Sequence, residues 1–458
     1  MSENLKAISI RLSIQLVVVA LTAGMLFSQA AFAQGGPGHE ESRAADAKLR
    51  AEIIDSVTLV LDSHYVFPDV AKEMKKYVRK RLKDGKYDTL NTVAALARAL
   101  TDDLREVCHD RHLGIAFMPD EYFEGLEADT VTDERREQEL KEAQYDNFGF
   151  YKVERLPGNI GYIDFRRFAD AQYAGATAIA AMNFLAYSDA IIFDLRNNGG
   201  GSPSMIQLIS SYFFEEPEHL NSFYLRYEDT IHQFWTQAYV PGRRMANTDL
   251  YVLTSSYTFS GAEEFTYNMK SMERATIIGE TTGGGAHPVD EAIFPNLNVA
   301  MRVPMGRAIN PITGTNWEGT GITPDIEVPS DQALSVARRE AMTKLLEKTT
   351  DEDRRNDLEW NIATLEAELN PVTVDESILK SYVGTYGPRT LIFENGDLYY
   401  QRQDRPKYKM IPMANDLFMF KEIDYFRIKV IRDDSGNPTE LNGLYDNGHV
   451  DISPKSGS

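Results

Sequence analysis

Ala190-Ile191-Ile192-Phe193-Asp194-Leu195-Arg196-Asn197-Asn198-Gly199-Gly200-Gly201 decides the fold class. Residues 190–195 form an apolar run suited to a strand buried on both faces of a parallel sheet. A glycine-rich turn follows, and Met205–Phe214 then carries a helical pattern. The same alternation continues outward on both sides. Ile160–Phe165 reads as a strand and Ala174–Leu185 as a helix before the run. After it come a strand at Leu250–Thr254, a helix from Ser260 to about Met272 and a strand at Thr276–Gly279. Strands alternating with helices predict βαβ units, an α/β class and a largely parallel sheet.

The flanks differ from this centre. Apolar residues at helix spacing, among them Ile53, Val57, Leu61, Leu96, Leu100 and Leu104, predict helices across Leu49–Val107. A strand at Leu113–Phe117 follows. Asp120–Glu142 holds ten acidic and three basic residues and reads as a solvated loop or surface helix. Long polar helices fill Asp331–Leu369. From Pro371 onward short strand candidates are separated by turns such as Asn395-Gly396-Asp397. They are Tyr382–Tyr386, Thr390–Phe393, Leu398–Gln401, Leu417–Phe420 and Phe426–Val430. The expected organisation is a linker at 34–48, an N-terminal helical subdomain at 49–118 and an acidic connector at 119–149. An α/β core at 150–330, a helical segment at 331–369 and a small all-β domain at 370–458 complete it.

Residues 1–33 read as a secretory signal peptide. Lys6 and Arg11 precede an apolar run, Leu12–Phe27, and Ala31-Phe32-Ala33 offers a small-residue exit with cleavage after Ala33. A spanning helix needs about 20 apolar residues, so no permanent membrane anchor is expected. The pattern predicts a bacterial periplasmic or secreted protein. The 458 residues carry a net charge of −21, which repels phosphate and argues against nucleic acid as a partner. A single cysteine, Cys108, excludes an internal disulfide. Cys108, His109 and His112 are too few for a four-ligand site, so neither a metal nor another cofactor is expected.

Three segments could carry chemistry: His109-Asp110-Arg111-His112, the Asp194–Gly201 turn, and Thr258-Phe259-Ser260-Gly261-Ala262-Glu263. Ser260 with Glu263 matches a helix capping box. The same position also sets a hydroxyl against the unpaired N–H groups of a helix start, which favour developing negative charge. The three glycines suit either a tight strand-to-helix turn or a cradle of backbone N–H groups. A serine nucleophile needs a base, most often histidine, and His112 is one of eight. The carboxylate that would orient it cannot be picked by chemistry from sixty-nine acids.

Taken together these segments resemble the tail-specific, or C-terminal processing, serine protease family. The motifs are Asp194–Gly201, the Ser260 segment, Ile278–Gly285 and Gly319-Thr320-Gly321-Ile322-Thr323-Pro324-Asp325, in that order. The closer similarity is to its branch without a PDZ domain, like interphotoreceptor retinoid-binding protein and the tricorn core protease. Tyr65-Val66-Phe67-Pro68, Gly85-Lys86-Tyr87 and Asp110-Arg111-His112-Leu113 resemble the N-terminal region of that branch. The resemblance implies a crotonase-like (ClpP-like) α/β core and a peptide or protein substrate. It places Ser260 on the nucleophile, His112 on the base and Glu318 on the glutamate of a Ser-His-Glu arrangement. Gly200 and Gly261 fall on the oxyanion-hole donors, with Gly201 a near alternative, and His287 is a candidate active-site neighbour. The lysine of the Ser-Lys members falls at Gly285 here, and the serine that completes the tricorn tetrad falls at Arg111. The connector is too short for a PDZ domain. The segment around Tyr382-Val383-Gly384-Thr385-Tyr386 is similar to small lipocalin-like modules that follow exported hydrolases.

The resemblance therefore implies a serine endopeptidase. The alternative it leaves open is a non-catalytic protein that binds apolar ligands or peptides on the same fold. Ser377-Ile378-Leu379-Lys380 matches S-x-x-K, but no S-D-N or K-T-G follows, which argues against a penicillin-recognising hydrolase.

Overall fold

A computed structural model of the chain describes residues 42–120, 122–123 and 133–456. The expected signal peptide, residues 34–41 of the linker, and residues 121 and 124–132 of the acidic connector lie outside the described residues. Two units are distinguished, one within Met1–Glu154 and Gly161–Ser330, the other Arg155–Ile160 with Asp331–Ser458.

The first unit opens with three helices, α1 (Ala47–His64), α2 (Pro68–Lys83) and α3 (Val93–Cys108). Their starts follow local chemistry. Asp46 accepts the Leu49 N–H at 2.7 Å, Pro68 occupies the first turn of α2, and Thr92 accepts the Ala95 N–H. Leu59, also among the apolar positions at helix spacing, is exposed, whereas Ile53, Val57, Leu61, Leu96, Leu100 and Leu104 are all buried. They share one core with Leu113, Val299 and Met301, side chains of the antiparallel sheet β1–β10–β9 and its entry (β1 Gly114–Phe117, β9 Val289–Phe294, β10 Val299–Pro304). After β1 comes α4 (Asp133–Tyr145), a helix within the acidic stretch.

The central sheet has six strands in the order β12-β8-β7-β4-β3-β2. They are β2 (Phe150–Leu156), β3 (Ile160–Phe165), β4 (Ala190–Asp194), β7 (Asp249–Thr254), β8 (Thr276–Gly279) and β12 (Ile326–Glu327). Strands β4, β7, β8 and β12 run parallel. Every residue of β4 is buried, as its apolar run requires. Helices α5 (Ala171–Phe184), α6 (Pro203–Ser210) and α7 (Gly261–Ser271) connect the strands, and Phe165, Ile191, Phe193, Ile206, Val252 and Phe265 form their common core.

The parallel arrangement is confined to this sheet. A second, antiparallel sheet, β11-β5-β6, uses β5 (His219–Leu225), β6 (Thr230–Trp235) and β11 (Gly306–Ile309). The whole is a mixed α/β fold with several sheets.

The second unit contains helices α8 (Ala333–Lys348), α9 (Glu352–Leu369) and α10 (Glu376–Ser381), then two antiparallel sheets. One is β13-β14-β15-β16 (Gly384–Tyr386, Arg389–Glu394, Asp397–Arg402 and Tyr408–Lys409), the other β17-β18-β19-β20-β21 (Ile411–Ala414, Leu417–Met419, Phe426–Arg432, Pro438–Tyr445 and Val450–Pro454). The expected strand at Tyr382–Tyr386 is shorter than its sequence suggested. Tyr382 caps α10, and only Gly384–Tyr386 pairs. Tyr382 and Tyr386 are nonetheless fully buried with Leu391, Phe418, Ile428 and Leu441. No helix among the described residues is long and apolar enough to cross a membrane.

Arg389 is fully buried in this unit, and its Nη2 donates to Asp451 Oδ2 at 2.6 Å. Breaking a buried charge pair on one side leaves an uncompensated ion. Asp451→Ala should therefore lower the stability of the intact chain by about 3 kcal/mol, measured by urea unfolding. A loss under about 1 kcal/mol, the range of exposed pairs, would show that the pair carries no such weight.

Candidate active site

Ser260 closes the turn between β7 and α7. It adopts φ 52°, ψ −122°, an uncommon conformation for a residue with a side chain, and it caps α7. Its N–H donates to Glu263 Oε2 at 2.9 Å, so the capping-box reading of the sequence describes the local structure. Glu263 does more than cap. Its buried carboxylate also accepts Thr282 Oγ1 at 2.5 Å, the Gly284 N–H at 2.7 Å and the Gly285 N–H at 2.8 Å. One side chain thus joins the Ser260 turn to the 282–285 loop. Burial pushes its carboxyl above the ordinary range, against the lowering effect of those four donors.

The Asp194–Gly201 turn lies against Ser260. A Cβ at Gly200, where φ is +110°, would sit 2.7 Å from Gly261 N and 2.9 Å from Ser260 Cβ. A Cβ at Gly201 would collide with the Phe168 backbone. Only glycine allows this approach. The Gly200 N–H, expected as an oxyanion donor, is already given to Asn198 Oδ1 at 2.8 Å. Gly201 N lies 2.9 Å from where a Gly261 Cβ would be. Gly201 N and Gly261 N thus both stand in the close glycine contact beside Ser260.

His112 stands where α3 turns into β1. His109 ends α3 with φ 56°, and Asp110 Oδ1 accepts the His112 N–H at 2.9 Å. Both His112 ring nitrogens are buried without a hydrogen-bond partner. The bonds expected to Ser260 and to Glu318 are thus absent among the described residues. The Phe259 ring lies against the imidazole instead, with centroids 4.7 Å apart. Glu318 spends Oε2 on the N–H groups of Ala286 and His287, at 2.5 and 3.2 Å, and its buried Oε1 has no partner.

Sequence reasoning missed Asp110. Its Oδ1 is 3.8 Å from His112 Nδ1, and its Oδ2 bonds His287 Nδ1 at 2.6 Å. His287 Nδ1 also lies 3.5 Å from Glu318 Oε2. The structure therefore brings His112, Asp110, His287 and Glu318 into one buried cluster. The signal was present as Asp-x-His, a spacing that lets a carboxylate accept a backbone N–H two residues on. His287, a candidate neighbour from sequence, belongs to the cluster. Cys108 does not act in it: burial pushes its thiol up to about 11.

Position 285 explains the missing lysine. A Cβ at Gly285 would lie 2.6 Å from His112 Cε1 and would overlap the Phe259 ring. No side chain fits there while His112 and Phe259 hold their places.

Residues 159–328 match peptidase family S41, and residues 47–148 match the N-terminal domain of peptidase S41 in eukaryotic IRBP. The chain belongs to peptidase family S41. Membership makes it a serine-type peptidase. It is also similar to three solved structures. The photosystem II D1 C-terminal processing protease shares 15% identity at a TM-score of 0.40, over 62% of this chain and 93% of the other. A lipoprotein from Streptococcus agalactiae shares 14% at 0.43, over 65% and 96%. The tricorn protease shares 14% at 0.40, over 63% and 35%.

The electrostatics of this S41 site are set by burial. Desolvation holds His112 down to about 4, outweighing the pull of Asp110. Desolvation and then Asp110 push Glu318 up to about 7. For Asp110, burial opposes the charge, but the His287 bond and the His112 ring bring it below the ordinary range. For His287, burial is outweighed by the Asp110 bond, which raises it.

Two predictions follow from this geometry. Glu263→Ala strands donors from both sides of the site and should cost the peptidase about 3 kcal/mol of stability. Urea unfolding measures it, and an unchanged midpoint would mean that Glu263 is not the tie described. The second concerns pH. The depressed His112 pKa contributes stability that is present above 6.5 and lost as pH falls toward 4. The raised Glu318 pKa contributes stability that is present below 4.5 and lost as pH rises through 7. Glu318→Gln deletes only the second. Its stability relative to the unsubstituted chain should rise by about 3 kcal/mol between pH 4.5 and 7. A pH-independent difference would contradict the burial argument.

Proposed function

We propose that this S41 peptidase is an exported serine endopeptidase in which Ser260 is the nucleophile, His112 the general base and Glu318 a supporting carboxylate. The observation that carries the reading is a buried histidine with both ring nitrogens free, beside two carboxylates, on the segment packed against the Ser260 turn. Nδ1 faces Asp110 Oδ1. An Nδ1–H tautomer would leave the Nε2 lone pair for the Ser260 proton. Catalytic hydrogen bonds often tighten only when substrate binds, so the Phe259 ring would give way on binding.

In the acylation step Ser260 Oγ bonds the scissile carbonyl carbon as its proton passes to His112. The Gly201 and Gly261 N–H groups stabilise the oxyanion. His112 then protonates the leaving amine, and the carbon–nitrogen bond breaks. Water repeats the sequence to free the enzyme. Glu318 and Asp110 stabilise the imidazolium that forms between the two transfers.

The wider assignment carries the sequence expectations. Residues 1–33 are a signal peptide cleaved after Ala33, and the mature chain is periplasmic or secreted. Residues 150–330 form a crotonase-like core preceded by a helical subdomain at 49–118. The acidic connector at 119–149 replaces a PDZ domain, and residues 370–458 form a lipocalin-like β module after the 331–369 helices. A second reading, a protein that binds apolar ligands without catalysis, draws support from the Phe259 ring lying on His112.

Ser260→Ala should reduce hydrolysis of an unfolded protein such as casein by roughly 10³-fold or more. A fluorophosphonate should label the unsubstituted chain once, and His112→Ala should lose the label. Full activity in Ser260→Ala would end the assignment. A folded chain with neither hydrolysis nor labelling would favour the binding reading.

A further inference from the structure

Asp110, His112 and Glu318 gather beside one another at the candidate site. Their ligand atoms, one from each residue, all lie within 4.8 Å of one another. The His112 side chain is 9% exposed and that of Asp110 1%. Both His112 nitrogens and Glu318 Oε1 are buried without partners. An unpaired buried polar atom costs stability, roughly 1–3 kcal/mol for a neutral group and more for a charged one. One imidazole nitrogen and Glu318 Oε1, beside the Asp110 carboxylate, call for a shared partner that accepts lone pairs, and one metal ion can take an atom from each of the three residues.

The donor set defines the ion. One imidazole nitrogen and two carboxylate oxygens suit a divalent transition metal, zinc above all, which binds such groups at about 2.0–2.2 Å. Tetrahedral ligands at that range stand roughly 3.3–3.6 Å apart, and His112 Nδ1 is 3.8 Å from Asp110 Oδ1. The outer support is already built. His287 Nδ1 bonds Asp110 Oδ2 at 2.6 Å, the histidine–carboxylate contact that orients ligating groups. The Ala286 and His287 N–H groups fix Glu318 through Oε2 and leave Oε1 free.

We infer that Asp110, His112 and Glu318 form a binding site for one divalent transition-metal ion of the zinc type, and that the bound ion switches the peptidase off. The ion takes the His112 lone pair, so the Ser260 proton has no acceptor. Binding stands on the ligand geometry alone. Inhibition also rests on the reading of His112 as the base. Three protein ligands leave a fourth position for water.

Zn2+ alone is the probe, offered to the full chain carrying Ser260→Ala so that activity plays no part. Equilibrium dialysis should find one tightly held Zn2+ per chain. Co2+ in its place should give the intense visible absorption of a four-coordinate site. Glu318→Gln and Asp110→Asn, each added to Ser260→Ala, should weaken Zn2+ binding tenfold or more, and His287→Gln by about 10–100-fold. Binding that is undiminished in Glu318→Gln and Asp110→Asn, or no binding at all, overturns the site. Should those variants fail to fold, nitrogen NMR of the histidine rings in Ser260→Ala decides: Zn2+ must move the His112 signals, and unmoved signals overturn it. With the unsubstituted chain, saturating Zn2+ should cut hydrolysis at least tenfold, reversed by EDTA. Zn2+ bound at this site with hydrolysis unchanged overturns the inhibition. Hydrolysis that persists in Ser260→Ala overturns the assignment of the nucleophile and leaves the metal site standing.

Discussion

The Glu263 carboxylate organises this active-site region. It accepts four hydrogen bonds, from Ser260 N, Thr282 Oγ1, Gly284 N and Gly285 N. These donors come from two strand ends of the parallel sheet, the β7–α7 turn and the segment after β8. A buried carboxylate is costly unless its lone pairs are matched, and here every bond that matches it also fixes either the Ser260 turn or the 282–285 loop. Ser260 takes its strained turn because its N–H is held. The 282–285 loop lies flat against that turn because its own N–H groups are held by the same oxygens. Through this loop the register passes on to Ala286, His287 and Glu318.

The second constraint is the close approach of backbone to backbone. Gly200, Gly201 and Gly261 meet at distances no Cβ would allow. This brings two N–H groups beside Ser260 without any polar side chain. On the far side, Trp317 is buried and donates Nε1–H to Gly285 O at 2.8 Å, while Gly319 N–H bonds Gly284 O at 3.0 Å. Glu318 is thus held from both neighbours. Its orientation is a product of the chain on either side.

Much of this was legible in the sequence, for definable reasons. The β4 strand, its glycine turn and the α3 and α7 helices have strong local signals: a continuous apolar run, amphipathic spacing and a capping pair. The Ser260 segment and the Gly-rich turns could be placed because their residues do local work. What stayed hidden is non-local. Strands β5, β10 and β11 have short, mixed patterns, and β5 with β11 and β1 with β10 pair across long stretches of sequence. Asp110 was one acid among sixty-nine; its Asp-x-His spacing is a local signal, but its contact with His287, 177 residues later, is not local. The competition for the Gly200 N–H was equally out of reach, since it turns on the rotamer of Asn198. The unmade Ser260–His112 bond depends on where one phenylalanine ring settles.

That ring constrains its neighbours. Phe259, Gly285 and His112 occupy one another's space, so the residue allowed at each depends on the other two. A lysine restored at position 285 would meet the Phe259 ring before it could approach Ser260. A smaller residue at position 259 would open a void beside the imidazole without supplying a new base. Position 285 therefore stays closed to any side chain while Phe259 and His112 keep their places, and a change at one of the three positions can be accommodated only by a change at another.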